Sequence, residues 1–264
     1  MTRTQSWAIK GGIFGLIMAG IVTMQVSRLR SALNPQASAL PQQAELQTQE
    51  AQLQLSLLKT LPNFGYRNLI ADWTFLNFLQ YFGSNEYRQI NGYGLSANYF
   101  DVILERDPYF YLAYVYLSSS VSIFAGQAEK AVELQERGLQ YLSPEFPPEG
   151  YFIWRHKGID EILFLDDVEA ASRSHQIAAE WAAQSSDPRA QEDQVSLQQT
   201  AEFLASNPDR TQAQIGAWAQ VLGSVPDDKS RAEVIENIEA LGYKVVPNEQ
   251  GSYSIRPQAS TPKE

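Results

Sequence analysis

The chain has 264 residues, 44% hydrophobic and 19% charged, which is enough for a sizeable core and too apolar for a wholly disordered protein. Its net charge of −10 is unevenly placed: no acid precedes Glu45 whereas Arg3, Lys10, Arg28 and Arg30 do, so the remainder carries 16 basic against 30 acidic side chains. An acidic body argues against nucleic acid, whose phosphates require clustered Lys and Arg, and the absence of cysteine excludes disulfides, zinc–thiolate sites and thiol nucleophiles.

Residues 1–30 read as an N-terminal transmembrane anchor. Gly11 to Ser27 is uncharged and bracketed by Lys10 and Arg28, just short of the ~20 residues that a bilayer core requires at ~1.5 Å per residue. With Trp7 at the interface and the two flanking cations snorkelling, residues 7–28 span the membrane. The rival reading is a cleaved signal peptide, but the nearest small-x-small site, Ala37-Ser38-Ala39, lies far beyond the apolar run. The free α-amine and the large acidic body point to a cytoplasmic N-terminus and a domain on the non-cytoplasmic side. Gly11, Gly15 and Ala19 share one helical face and suit close packing against a second membrane helix, although Gly and Ala are frequent in any span.

Residues 31–58 form a linker and stalk helix rich in Gln, with Pro41 at the helix start and Leu46, Ala51, Leu53, Leu57 and Leu58 following it. From Leu61 to Phe82 apolar residues cover nearly the whole circumference of a helix: Leu69, Ile70, Trp73, Leu76 and Phe78 surround it almost evenly. Such a helix is expected to be packed on most sides. Arg67 and Asp72 lie inside this apolar stretch, and their burial would require partners, which a five-residue separation puts on neighbouring helices.

Terminators recur at Asp107-Pro108, Ser143-Pro144, Asp187-Pro188 and Asn207-Pro208, the first three separated by 36 and 44 residues. Between Pro108 and Pro144, a large aromatic at Tyr114 is followed by Leu117, Ser118 and Val121. After a turn at Gly126 come Ala131, Gly138, Leu139 and Tyr141. This pattern resembles a tetratricopeptide repeat, in which small residues let two antiparallel helices approach while large ones fill the groove. The turn is reached with one residue more than the family uses. The preceding unit matches in its second half, at Ser96, Phe100, Ile103 and Pro108. The following one matches loosely, at Trp154, Gly158, Ala170, Ile177, Ala178 and Trp181. The resemblance implies an all-α fold, a helical-hairpin array or α-solenoid over residues 61–188, and a surface that binds protein.

Residues 189–241 continue as polar helices, Gln191 to Ala205, Thr211 to Leu222 and Lys229 to Leu241, as the end of a solenoid must be. Gly242 stops the last of them. Residues 242–256 read as a small β-hairpin turning at Pro247 to Gly251 and docked on those helices; residues 257–264 read as a disordered tail.

No catalytic pattern emerges: G-x-S-x-G, the Walker loop and the nucleotide-binding glycine fingerprint are all absent. The two histidines, His156 and His175, lack further metal-type ligands at convincing spacing. His156 and Asp160, one turn apart, read as an exposed, hydrated face. Acidic pairs at Glu45 and Glu50, Asp166 and Asp167, and Asp227 and Asp228 suit helix capping. No cofactor or metal is therefore expected. Among Tyr109, Phe110, Tyr111, Tyr114 and Tyr116, part is core and part, including Tyr109 and Tyr116, is surplus that suits a binding surface. The expected function is a non-catalytic, membrane-anchored scaffold or assembly factor, with Tyr109, Tyr111, Tyr116, Arg67 and Asp72 as partner-binding candidates. The alternative is a permanent accessory subunit held through Gly11, Gly15 and Ala19. The high Gln content and short basic N-terminus are similar in style to cyanobacterial assembly factors and accessory subunits of photosynthetic membrane complexes, which would place it in the thylakoid.

Overall fold

A computed structural model describes residues 40–62, 65–206, 209–225, 228–247 and 253–258. The expected membrane span with Gly11, Gly15 and Ala19, the hairpin turn at 248–251 and the tail beyond Gln258 lie outside the described residues. The chain divides into two compact units, Met1–Gln47 and Thr48–Glu264. Of the first, only residues 40–47 are described.

The described residues are mostly helical and end in a two-stranded antiparallel hairpin. In order they form α1 (Leu40–Thr60), α2 (Arg67–Gly83), α3 (Asn85–Asn91), α4 (Ser96–Arg106) and α5 (Tyr111–Leu117), which runs on as a π-helix (Ser118–Phe124). Then come α6 (Ala128–Leu139), α7 (Tyr151–Leu163), α8 (Val168–Ala182), α9 (Ala190–Ala205), α10 (Arg210–Ser224) and α11 (Asp228–Ala240), followed by β1 (Tyr243–Pro247) and β2 (Tyr253–Pro257).

Local chemistry sets these boundaries. Asp107 is extended at φ −141°, ψ 90° because Pro108 disfavours helical backbone in the residue before it, so α4 ends there. The Asp167 carboxylate accepts from the Ala170 N–H at 2.8 Å, and Asp209 accepts from Thr211 and Gln212, capping α8 and α10. Gly242 closes α11 at φ +82°, a conformation a side chain would strain.

Three clusters make the core. The first joins α2, α4, α5 and α6 around Phe78, Phe100, Ile103, Tyr114 and Leu134, all essentially inaccessible. The second joins α7, α10 and α11 through Ile159, Ile162, Trp218 and Ile238, with Tyr243, Val245 and Ile255 of the hairpin packed against it. The hairpin pairs Val245 with Ile255 at its centre. The third joins α8 and α9 beneath Tyr151.

Within the first cluster the backbone comes close where a side chain is missing. A Cβ at Gly138 would lie 1.8 Å from the Tyr114 hydroxyl oxygen, so α6 approaches α5 only because position 138 has none. The Tyr114 hydroxyl donates to the Pro108 carbonyl at 2.9 Å, and burial pushes its pKa up.

Arg106 fastens α1. Its Nη2 donates to the carbonyls of Leu58 (2.6 Å), Lys59 (2.8 Å) and Leu61 (3.0 Å), acceptors left over at the helix C-terminus. A buried cation there also opposes the negative end of the helix dipole. Lys59 and Arg137 pair with Asp101, whose carboxyl is held below the usual range against the opposing effect of its burial.

Candidate functional site

Helix α2 buries Ala71, Thr74, Phe75, Phe78, Tyr81 and Phe82. Leu69, Trp73 and Leu76 point the other way, with 64%, 56% and 54% of their surfaces exposed. At 100° per residue these three fall within a sector of about 60°, a continuous apolar stripe two turns long. The expectation of a helix covered on most sides is corrected here. Apolar residues do ring the helix, but only one side is packed, and periodicity cannot distinguish an apolar face against the core from one left in water. Of the fifteen large apolar side chains exposed among the described residues of the second unit, seven lie between Leu53 and Leu76.

Arg67 and Asp72 flank the stripe and are both exposed, so their expected burial is also corrected. Arg67 donates through Nη2 to the Glu105 carbonyl at 2.8 Å. Asp72 sits between Leu69 and Leu76 on the same face, and no cation among the described residues pairs with it. Solvent removes the need for a protein partner that burial would have imposed.

The tyrosines have separate surroundings. Tyr109 is 45% exposed and packs its ring 5.4 Å from that of Phe146, itself exposed. Tyr111 lies beside Phe152 at 6.1 Å, its hydroxyl pushed up to about 12 by burial. Tyr116 turns inward, with edge contacts to Phe75 at 5.6 Å and Phe78 at 6.3 Å. Of the surplus expected from the sequence, Tyr109 is at the surface and Tyr116 is mostly core.

A polar centre that the sequence did not disclose lies between the π-helix, α6 and α7. Asp160 is fully buried and accepts from the Ser118 hydroxyl at 2.7 Å and Gln135 Nε2 at 3.1 Å. Desolvation raises its pKa to about 7, outweighing the hydrogen bonds from Ser118 and Gln135 that favour the charged form. One turn on, Lys157 pairs with Glu161, which also accepts from the Ser174 hydroxyl at 2.6 Å. His156 is partly buried, and burial together with Arg155 pushes its pKa down to about 3. The exposed His156 and Asp160 face expected from the sequence is thus corrected. The side of α7 that carries Asp160 also carries Ile153, His156, Lys157, Leu163 and Phe164, a mixed face that gives no sequence signal of burial. A carboxylate without access to solvent cannot meet a substrate; this centre holds helices together.

Among the described residues no group of three metal-type side chains is close enough to hold an ion, and no helix is long and apolar enough to cross a membrane. Comparison of the chain with protein-family models, curated proteins and solved structures finds no match.

Proposed function

We propose that this chain is a non-catalytic scaffold or assembly factor, anchored in a membrane by residues 7–28, whose tetratricopeptide-like helical array binds another protein. The observation that carries this reading is the solvated stripe of Leu69, Trp73 and Leu76 on α2. Its width and two-turn length suit a single partner helix laid against it, with leucine-sized side chains at i, i+3 and i+4 spacing. Asp72, at the edge of the stripe and unpaired among the described residues, favours a partner with Lys or Arg opposite it. An anchor on the same chain raises the local concentration of any partner in the same membrane. Tyr109 and its neighbour Phe146 offer a second aromatic contact, while the net negative charge of the body discourages acidic partners.

The test is a pull-down of the tagged full chain from membranes in mild detergent, compared with Leu69→Ser/Trp73→Ser/Leu76→Ser and with Gly11→Leu/Gly15→Leu/Ala19→Leu. Loss of the bound protein in the first variant and its retention in the second supports recognition by α2. The opposite pattern supports the accessory subunit held through its span. The serine changes lie in water, so a melting temperature within a few degrees of the wild type should accompany them.

A further inference from the structure

Helix α1 is apolar on two opposite sides. One seam, Ala51, Leu55 and Leu58, packs on the first core cluster. Leu53 and Leu57 each lie roughly 160° around the helix from Leu55, at 100° per residue. Leu61, whose N–H donates to the Leu57 carbonyl at 2.9 Å, carries that outer row one turn further. The three leucines, at i, i+4 and i+8, are 67%, 62% and 48% exposed. A surface helix packed on one side ordinarily presents polar residues on the other; this one presents leucine.

The row is held in a fixed orientation, because Arg106 donates to the Leu58, Lys59 and Leu61 carbonyls and Lys59 pairs with Asp101, so the last turn of α1 cannot roll. Charge selects what can meet it. Residues 51–71 contain no acid and two bases, Lys59 and Arg67, whereas residues 72–264 contain 28 acidic against 14 basic side chains. The row ends at Glu50, one turn before Leu53; beyond it the other exposed residues of α1 are Gln52, Gln54, Ser56, Lys59 and Thr60, uncharged but for Lys59. An anionic headgroup layer repels the acidic remainder of the chain and not this stretch. Whatever their conformation, residues 29–39 reach at most ~40 Å at ~3.5 Å per residue, which keeps the start of α1 within that distance of the end of the anchor. A bilayer is thereby present at high local concentration.

We propose that Leu53, Leu57 and Leu61 insert into the lipid interface and lay this part of α1 along the bilayer surface. The inference rests on the anchor of the reading above and not on the α2 stripe. Leucine at the acyl boundary with uncharged Gln, Ser and Thr at headgroup level is the arrangement of a helix lying in the interface plane. Lipid is favoured over protein as the cover, since no charged or aromatic side chain lies on the row. Protein hot spots are enriched in Trp, Tyr and Arg and poor in Leu, whereas a lipid surface requires only apolar area. Three leucines alone would bind a membrane weakly and reversibly; a tether on the same chain makes weak binding sufficient.

The chain contains no cysteine, so a single introduced thiol can carry an NBD fluorophore. The full chain, labelled through Leu57→Cys or, on the flank of the same helix, through Gln52→Cys, is reconstituted in phosphatidylcholine vesicles with and without shallow doxyl-labelled lipid, and flotation reports the anchor. Doxyl lipid should quench the label at position 57 at least about threefold more than the label at position 52. Adding Leu53→Ser/Leu61→Ser, changes on a solvated surface that should leave the melting temperature within a few degrees, should return the label at position 57 to the level of the flank. That step also shows that the fluorophore does not insert by itself. Equal quenching at the two positions in floated vesicles, or quenching at position 57 that survives the serine changes, would overturn the proposal and leave the anchor standing. Energy transfer between copies at position 57 without doxyl quenching, the mark of a second copy on the row, would do the same. A chain that fails to float overturns both.

Discussion

Replacing Asp160 with Asn should make the protein more stable, and by more at pH 8 than at pH 5. The carboxyl is fully buried and has a folded-state pKa of about 7 against an ordinary value of 3.8. Between those values the folded chain holds a proton that the unfolded chain has lost, so stability falls as pH rises from about 4 to about 7 and is flat beyond. At ~1.4 kcal/mol per pKa unit the destabilisation is about 4 kcal/mol above pH 7 and roughly 2 kcal/mol at pH 5. An amide at position 160 carries no charge to desolvate. Its Oδ1 can keep accepting from Gln135 Nε2 while its Nδ2 donates to the Ser118 hydroxyl oxygen, which can accept as well as donate. Denaturant unfolding of the full chain and of Asp160→Asn, followed by tryptophan fluorescence at both pH values, isolates the difference, because every other titrating group is common to both. The variant should gain about 2–3 kcal/mol more at pH 8 than at pH 5. An offset that is the same at both values would refute the reasoning, since it would mean that residue 160 titrates alike in the two states.

Gly158→Ala places a methyl 2.4 Å from His175 Nδ1 and should cost about 1–3 kcal/mol; in a double-mutant cycle His175→Ala should relieve part of that loss, measured by thermal melting. Gly138→Ala, whose methyl would meet the Tyr114 hydroxyl at 1.8 Å, should be destabilising by a similar ~1–3 kcal/mol and be partly rescued by Tyr114→Leu. Arg106→Met strips three carbonyls at the end of α1 of their donor; hydrogen exchange over Leu55 to Leu61 should accelerate by roughly tenfold or more while exchange in α9 to α11 is unchanged. Trp73→Ala, at a site 56% exposed, should leave stability within about 0.5 kcal/mol yet weaken capture of the partner by at least tenfold.

The elements with clear punctuation were legible in the chain. Pro41, Pro108, Pro144, Pro188 and Gly242 bracket helices that run within a few residues of the expected bounds, and the alternating Tyr243 to Val246 and Tyr253 to Ile255 form the hairpin. Asp167 caps α8 as the acidic pairs suggested. Exposure was not legible, because α2 is apolar all round and nothing local says which neighbour is missing at Leu69, Trp73 and Leu76. Asp160 and His175 were opaque for a related reason. Their burial and their partners Ser118, Gln135 and Gly158 arise from helices distant in the chain brought together, and no spacing rule encodes that.

The π-helix from Ser118 to Phe124 works as a shim in the winding of its rod. A wider turn takes up one residue beyond the regular repeat, and each residue of a helix turns the chain by about 100°. Because the wide turn absorbs that residue, deleting one there should restore regular winding with Tyr114 still near Gly138, whereas inserting a further residue would swing everything upstream by that angle. A one-residue deletion in that short serine run should therefore be punished less severely than a one-residue insertion.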